Sequence, residues 1–145
     1  MREQAPTVYF LMETQLDKEG FEKLYGELPF PNRIIVKQPD LGGGLVLIWK
    51  NDVCLELINF IANHIMVRVL EDDRFIRWLT CFYGWLEAIQ RHKSWELLSH
   101  LKSFGEGPWL CIGDFNAILQ SSEKLSKRLA QMNQIDAFRA ILAVC

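Results

Sequence analysis

The stretch Pro108-Trp109-Leu110-Cys111-Ile112-Gly113-Asp114-Phe115-Asn116 runs from apolar residues into an aspartate and an asparagine. In an extended segment side chains alternate faces, so Asp114 and Asn116 project together while Phe115 points away and anchors the segment in the core. A carboxylate beside an amide that both donates and accepts suits a phosphate or a hydrated metal: the carboxylate orients a water and the amide donates to a phosphoryl oxygen. Gly113 lets the backbone turn or come close to a ligand. The same residues also make a strand-terminating turn in which Asp and Asn cap the backbone. The tetrapeptide alone divides evenly between these two readings.

Two more polar groups close apolar runs. Glu13 ends Phe10-Leu11-Met12, and a carboxylate at a strand end is a natural ligand for a hard cation such as Mg²⁺, which takes only one or two protein carboxylates. The bland alternative is a solvated carboxylate opening a loop. Tyr83, in Thr80-Cys81-Phe82-Tyr83-Gly84, offers a phenol to a phosphate, or packs with its hydroxyl in water. Other features have plain readings. Gly42-Gly43-Gly44 lacks the spacing and following helix of a phosphate loop, so it reads as a turn. Arg91-His92-Lys93 and Lys124 with Lys127-Arg128 read as solvated faces that are able to touch a nucleic-acid backbone. Trp95 and Trp109 read as core. His92 and His100 have no carboxylate partner close in sequence and are not assigned as general bases.

Elements that position these groups follow from periodicity. Val8 to Met12, Ile34 to Val36, Leu45 to Trp49, Val53 to Ile58, His64 to Leu70, Phe75 to Tyr83 and Pro108 to Ile112 read as strands. Asn51-Asp52 reads as a hairpin-like turn, and Glu71-Asp72-Asp73 as an acidic turn. Asp17 to Leu28, with Asp17 as N-cap, Ser94 to Phe104 and Gln134 to Val144 read as helices with one apolar face. The order is strand, helix, a run of strands that look antiparallel, helix, strand, helix, which predicts an α/β sandwich.

Composition sets the class. The chain has 145 residues, is half apolar and 23% charged, and carries a net charge of −2. That fits one globular domain and gives no overall basic signal for nucleic acid. The four cysteines form no CxxC pair and read as reduced core residues of an intracellular protein, nuclear or cytoplasmic and not secreted. The polar start Met1 to Phe10 does not read as an export signal. Leu55 to Leu70 is interrupted by Glu56, Asn59, Asn63, His64 and Arg68, so no membrane span is expected.

Taken in order, Phe10-Leu11-Met12-Glu13-Thr14, Gly42 to Lys50, Thr80 to Gly84, Lys93 to Leu101 and Pro108 to Leu119 resemble the endonuclease/exonuclease/phosphatase superfamily. The likeness is closest to the endonuclease-like domain of plant LINE-type (non-LTR) retrotransposons and runs over nearly the whole chain. The resemblance implies a four-layer α/β sandwich, two mixed sheets packed together with helices outside, and Mg²⁺-dependent phosphodiester hydrolysis that nicks DNA. It implies that Glu13 binds the metal, that Tyr83 lies near the scissile phosphate, that Asp114 orients or activates the attacking water, and that Asn116 contacts the phosphate. The family pattern also has an asparagine-bearing first strand and a C-terminal aspartate and Asp-His pair that these 145 residues do not contain. The expectation is therefore a single partial domain over 1–145 with bare sheet edges, open to self-association or a partner, and with little or no activity. Two alternatives stay open: a small-molecule phosphoesterase of the same superfamily, and a non-catalytic interaction module completed by a partner chain.

Overall fold

The computed structural model describes residues 6–37 and 43–117. The expected helix over Gln134 to Val144, the basic group at Lys124 and Lys127-Arg128, Cys145 and most of the turn at 39–44 lie outside the described residues. The chain falls into two compact units: residues 1–82 with 108–113, and residues 83–107 with 114–145.

The first unit is built on two sheets, as an α/β sandwich requires. One has three strands in the order β1 (Val8–Leu11), β3 (Gly44–Trp49), β2 (Asn32–Lys37), both pairings antiparallel. The other has four, β4 (Cys54–Ile61), β5 (His64–Glu71), β6 (Arg74–Tyr83) and β7 (Trp109–Asp114), in that order. All six residues of β3 are buried. Val46 and Ile48 join a cluster with Phe21 and Phe30, flanked by Leu11, Leu16 and Ile35. Leu45 and Leu47 point to the opposite face and are as fully buried, on the side where β3 meets β5 of the second sheet. β5 answers with His64, Ile65, Met66 and Val67, all buried. Strands hidden on both faces read as continuous apolar runs, and "GLVLIW" is one.

Helix α1 (Lys18–Tyr25) begins where Asp17 caps it, the carboxylate accepting from the Gly20 N–H at 2.8 Å. It is shorter than the apolar spacing predicts. Gly26 closes it, Leu28 lies beyond its end, and of the spaced residues only Phe21 is buried. Arg33 of β2 ties the helix down by an ion pair to Glu22 at 2.8 Å and a cation–π contact with Phe21 at 5.7 Å.

Two turns differ in kind. Asp72 and Asp73, with φ of 50° and 59°, join β5 to β6; two central residues with positive φ are what a tight hairpin needs, and Asp tolerates that region. Asn51-Asp52 does form a turn, closed by the Val53 N–H on the Lys50 carbonyl at 3.1 Å. It is not a hairpin, because β3 and β4 belong to different sheets. Alternation within each strand shows local extension; it carries no information on which strand becomes the neighbour. Leu55 to Leu70 forms most of the β4–β5 hairpin, and among the described residues no helix is long and apolar enough to cross a membrane.

In the second unit a 3-10 turn, Ala88–Gln90, leads into α2 (Arg91–Lys102), which buries Ser94, Trp95, Leu98 and Leu101 along one face. The helix starts three residues before the expected Ser94. Ser94 serves instead as an acceptor for the Trp85 N–H, at 3.1 Å.

Asp17→Ala is expected to cost about 1 kcal/mol by removing the only side-chain cap of α1. Chemical denaturation of the variant beside wild type measures it, with an unchanged midpoint as the contrary result.

Candidate functional site

β6 and β7 are parallel. The Trp78 N–H donates to the Pro108 carbonyl at 2.8 Å and the Gly84 N–H to the Asp114 carbonyl at 2.7 Å, advancing equally along both strands. In a parallel ladder that offset sets Trp78 against Trp109 and Gly84 against Phe115. Tyr83 therefore faces Asp114 on the same side of the paired strand ends, within the second unit. Tyr83 is buried and Asp114 exposed. On the opposite side, the Trp109 indole N–H donates to the Thr80 hydroxyl at 2.9 Å, so this half-buried tryptophan ties the two strands together.

At the end of β7 the backbone leaves the extended form. Continuing the ladder would send the Asn116 N–H to the Gly84 carbonyl. Asn116 instead has φ of 51°, a conformation Asn tolerates better than most residues. Its N–H turns to the Asp114 carboxylate, at 2.8 Å, and its side-chain amide donates to the Gly84 carbonyl at 2.6 Å. The side chain thus takes the place of the backbone in the last rung. This departs from the simple alternation expected for Asp114 and Asn116, because an Asx-type turn intervenes.

The capping geometry and the candidate chemistry use the same groups without exhausting them. An Asn amide carries two N–H donors and a carbonyl, of which one donor is engaged by Gly84. The Asp114 carboxylate is exposed and turns one oxygen to the Asn116 N–H. What remains is an anchored amide and a carboxylate whose direction is set by its own turn.

Two glycines make the strand ends possible. A Cβ on Gly113, where φ is 136°, would collide with the Phe82 carbonyl, its carbon only 2.9 Å away. A Cβ on Gly84 would meet the Phe115 carbonyl carbon at 2.7 Å. The close approach expected of Gly113 is thus to a neighbouring strand. Gly84 carries no role in the sequence reading, although a glycine directly after a buried aromatic strand end was its visible signal.

Glu13 belongs to the first unit, exposed, just past β1 and in the left-handed region at φ 53°. Thr14, next to it, donates its N–H to the Gly44 carbonyl at 3.4 Å. Among the described residues no three His, Cys, Asp or Glu side chains gather in a way that could hold a metal. Mg²⁺ asks for less, since it keeps most of its waters and takes one or two carboxylates; an exposed carboxylate such as Glu13 fits that demand.

Cysteine chemistry is divided. Cys54, Cys81 and Cys111 are thiols, none of them in a disulfide. Cys81 fits the expected core role: burial, then the neighbouring Cys111, pushes its thiol up from 9.0 to about 12. Cys54 does not fit it, being exposed at the start of an outer strand. His92 Nδ1 lies 3.0 Å from the Ile89 carbonyl, and His100 packs edge-on to Phe104 at 5.4 Å.

The chain matches no protein-family model and no curated protein.

Gly113→Ala and Gly84→Ala are each expected to cost about 1–3 kcal/mol through backbone displacement, read as a lowered denaturant midpoint; wild-type midpoints would show the strand ends to be looser than described. For Cys81 the neutral thiol is the form favoured by the fold. Its contribution is complete below pH 9 and is lost as pH rises towards 12. The denaturant midpoint of wild type should therefore fall more steeply above pH 9 than that of Cys81→Ala; parallel pH profiles would contradict the burial of the thiol.

Proposed function

We propose that the chain carries part of a phosphodiesterase site of the endonuclease/exonuclease/phosphatase type, nearest to the endonuclease-like domain of plant LINE-type retrotransposons. The observation that supports it most is the join of β6 to β7. Tyr83 faces Asp114 across two parallel strands, and Asn116 is pinned to Gly84 by its side chain. Three groups that suit a phosphate thus come from two segments onto adjacent strand ends. In this reading Asp114 orients the attacking water, and Asn116 and Tyr83 direct donors at the phosphoryl oxygens. Donors already held in place by the fold need no reorganisation as charge develops on those oxygens.

Glu13 is the residue assigned to Mg²⁺. The ion, when bound, supplies Lewis-acid neutralisation of the phosphate. The substrate class is DNA, approached locally since the net charge is −2, and the setting is inside the cell. Groups of such a site act as a unit, and losing one member costs about as much as losing several. The 145 residues hold no Asp-His pair, so this polypeptide alone is expected to hydrolyse little or nothing.

Two measurements test the reading. Supercoiled plasmid incubated with the purified chain and Mg²⁺ should stay un-nicked, at the level of Asp114→Ala. Nicking that Asp114→Ala abolishes would show the present residues to be sufficient. Calorimetric titration with Mg²⁺ should give weak binding that Glu13→Gln removes, and binding indifferent to that substitution would remove Glu13 from the assignment.

A further inference from the structure

β4 is the outer strand of the four-stranded sheet, with no neighbour on its free side among the described residues. Natural edges are usually blunted by lysine, proline or shortness. β4 has eight residues, Cys54-Leu55-Glu56-Leu57-Ile58-Asn59-Phe60-Ile61, with neither lysine nor proline. Its single charge, Glu56, is already neutralised by Arg68 of β5. Three large apolar side chains are left out in solvent, Leu57 at 42%, Phe60 at 51% and Ile61 at 43%.

The strand also has a bulge, and the bulge decides what fits it. Pairing with β5 runs Leu55↔Val69, Leu57↔Val67, then Asn59↔Met66, Phe60↔Ile65, so Ile58 is the extra residue. Leu55, Leu57 and Phe60 therefore share one face, and Cys54, Glu56, Asn59 and Ile61 the other. An antiparallel pair about a two-fold axis joins residues of the same face. In an unbroken strand Leu55 and Phe60 lie on opposite faces and cannot be opposed. After the phase change at Ile58 they can. One register then matches on both sides of the bulge: Cys54 against Ile61, Leu55 against Phe60, and Glu56 against Asn59, with Leu57 and the bulged Ile58 at its centre. It sets the carboxylate opposite an amide instead of opposite its own copy, where like charges would repel.

We propose that β4 is a self-association edge, on which a second copy of this chain pairs antiparallel in that register to form a continuous eight-stranded sheet. The surface is independent of the phosphodiesterase reading, and its test does not use activity.

Sedimentation of the 145-residue chain over a wide concentration range should show a monomer–dimer equilibrium. Phe60→Lys removes an apolar partner and adds a charge at two symmetric places, and should raise the dissociation constant about tenfold or more. Its unfolding midpoint should stay near wild type, because Phe60 is half exposed. The register is read separately: under mild oxidation Ile61→Cys should give a disulfide-linked dimer through Cys54 of the second copy, lost when Cys54→Ser is added. A monomer at every concentration, or a dimer indifferent to Phe60→Lys, overturns the proposal. A dimer weakened by Phe60→Lys but not crosslinked through Cys54 overturns the register.

Discussion

The first unit rests on the burial of one strand on both faces. Gly44 to Trp49 are all withdrawn from solvent, and each large side chain among them contributes roughly 1.5–3 kcal/mol relative to exposure. Such a strand needs a layer on each side. Phe21 of α1 with Phe30 supplies one through Val46 and Ile48, and β5 meets the other. The flanking strands β1 and β2 then have their places fixed by antiparallel pairing to β3, with Trp49 opposite both Val8 and Asn32. The charged contacts are secondary. The ion pairs Arg33–Glu22 and Arg68–Glu56 are at least partly exposed at their carboxylates, and pairs of that kind add about 1 kcal/mol or less.

A different constraint governs the ends of β6 and β7. Parallel strands that approach closely enough to exclude a Cβ at Gly84 and at Gly113 leave little freedom to the residues that follow. The chain leaves the ladder at Asn116 with its hydrogen bonds exchanged rather than lost: the N–H goes to Asp114 and the side-chain amide to Gly84. A buried or half-buried backbone acceptor without a partner is costly, so this substitution of side chain for main chain holds the turn. It also holds Asp114 and Asn116 in fixed directions, which is the property a phosphate-binding pair needs. The cap orients the groups left over, one Asn116 amide N–H and the exposed Asp114 carboxylate.

The apolar pattern was sufficient for most of the elements. Among the described residues, seven strands and two helices occur where periodicity placed them, with ends shifted by the local chemistry of Gly26, Ser94 and the Asp72-Asp73 turn. Asp17 was legible as a cap because its preference is local. The α/β class followed from the order of elements. Of the candidate groups, Tyr83, Asp114 and Asn116 were visible as polar residues closing apolar runs, and Glu13 as a carboxylate past a strand, here bent into the left-handed region.

What only the tertiary structure decided was adjacency. Alternation says that a segment is extended and which side chains share a face; it does not say which strand lies beside it. Hence Asn51-Asp52 looked like a hairpin yet links two sheets, and Cys54 looked interior yet lies on an edge. Hence too Tyr83 and Asp114, far apart in the chain, face each other only because β6 and β7 run parallel in one register. The glycines at 84 and 113 acquire their reason at the same point, since the atoms that exclude a side chain belong to the opposite strand. Sequence carries the local preferences of each segment; long-range pairing depends on which buried surfaces and hydrogen bonds are satisfied together, and that is settled only when the strands meet.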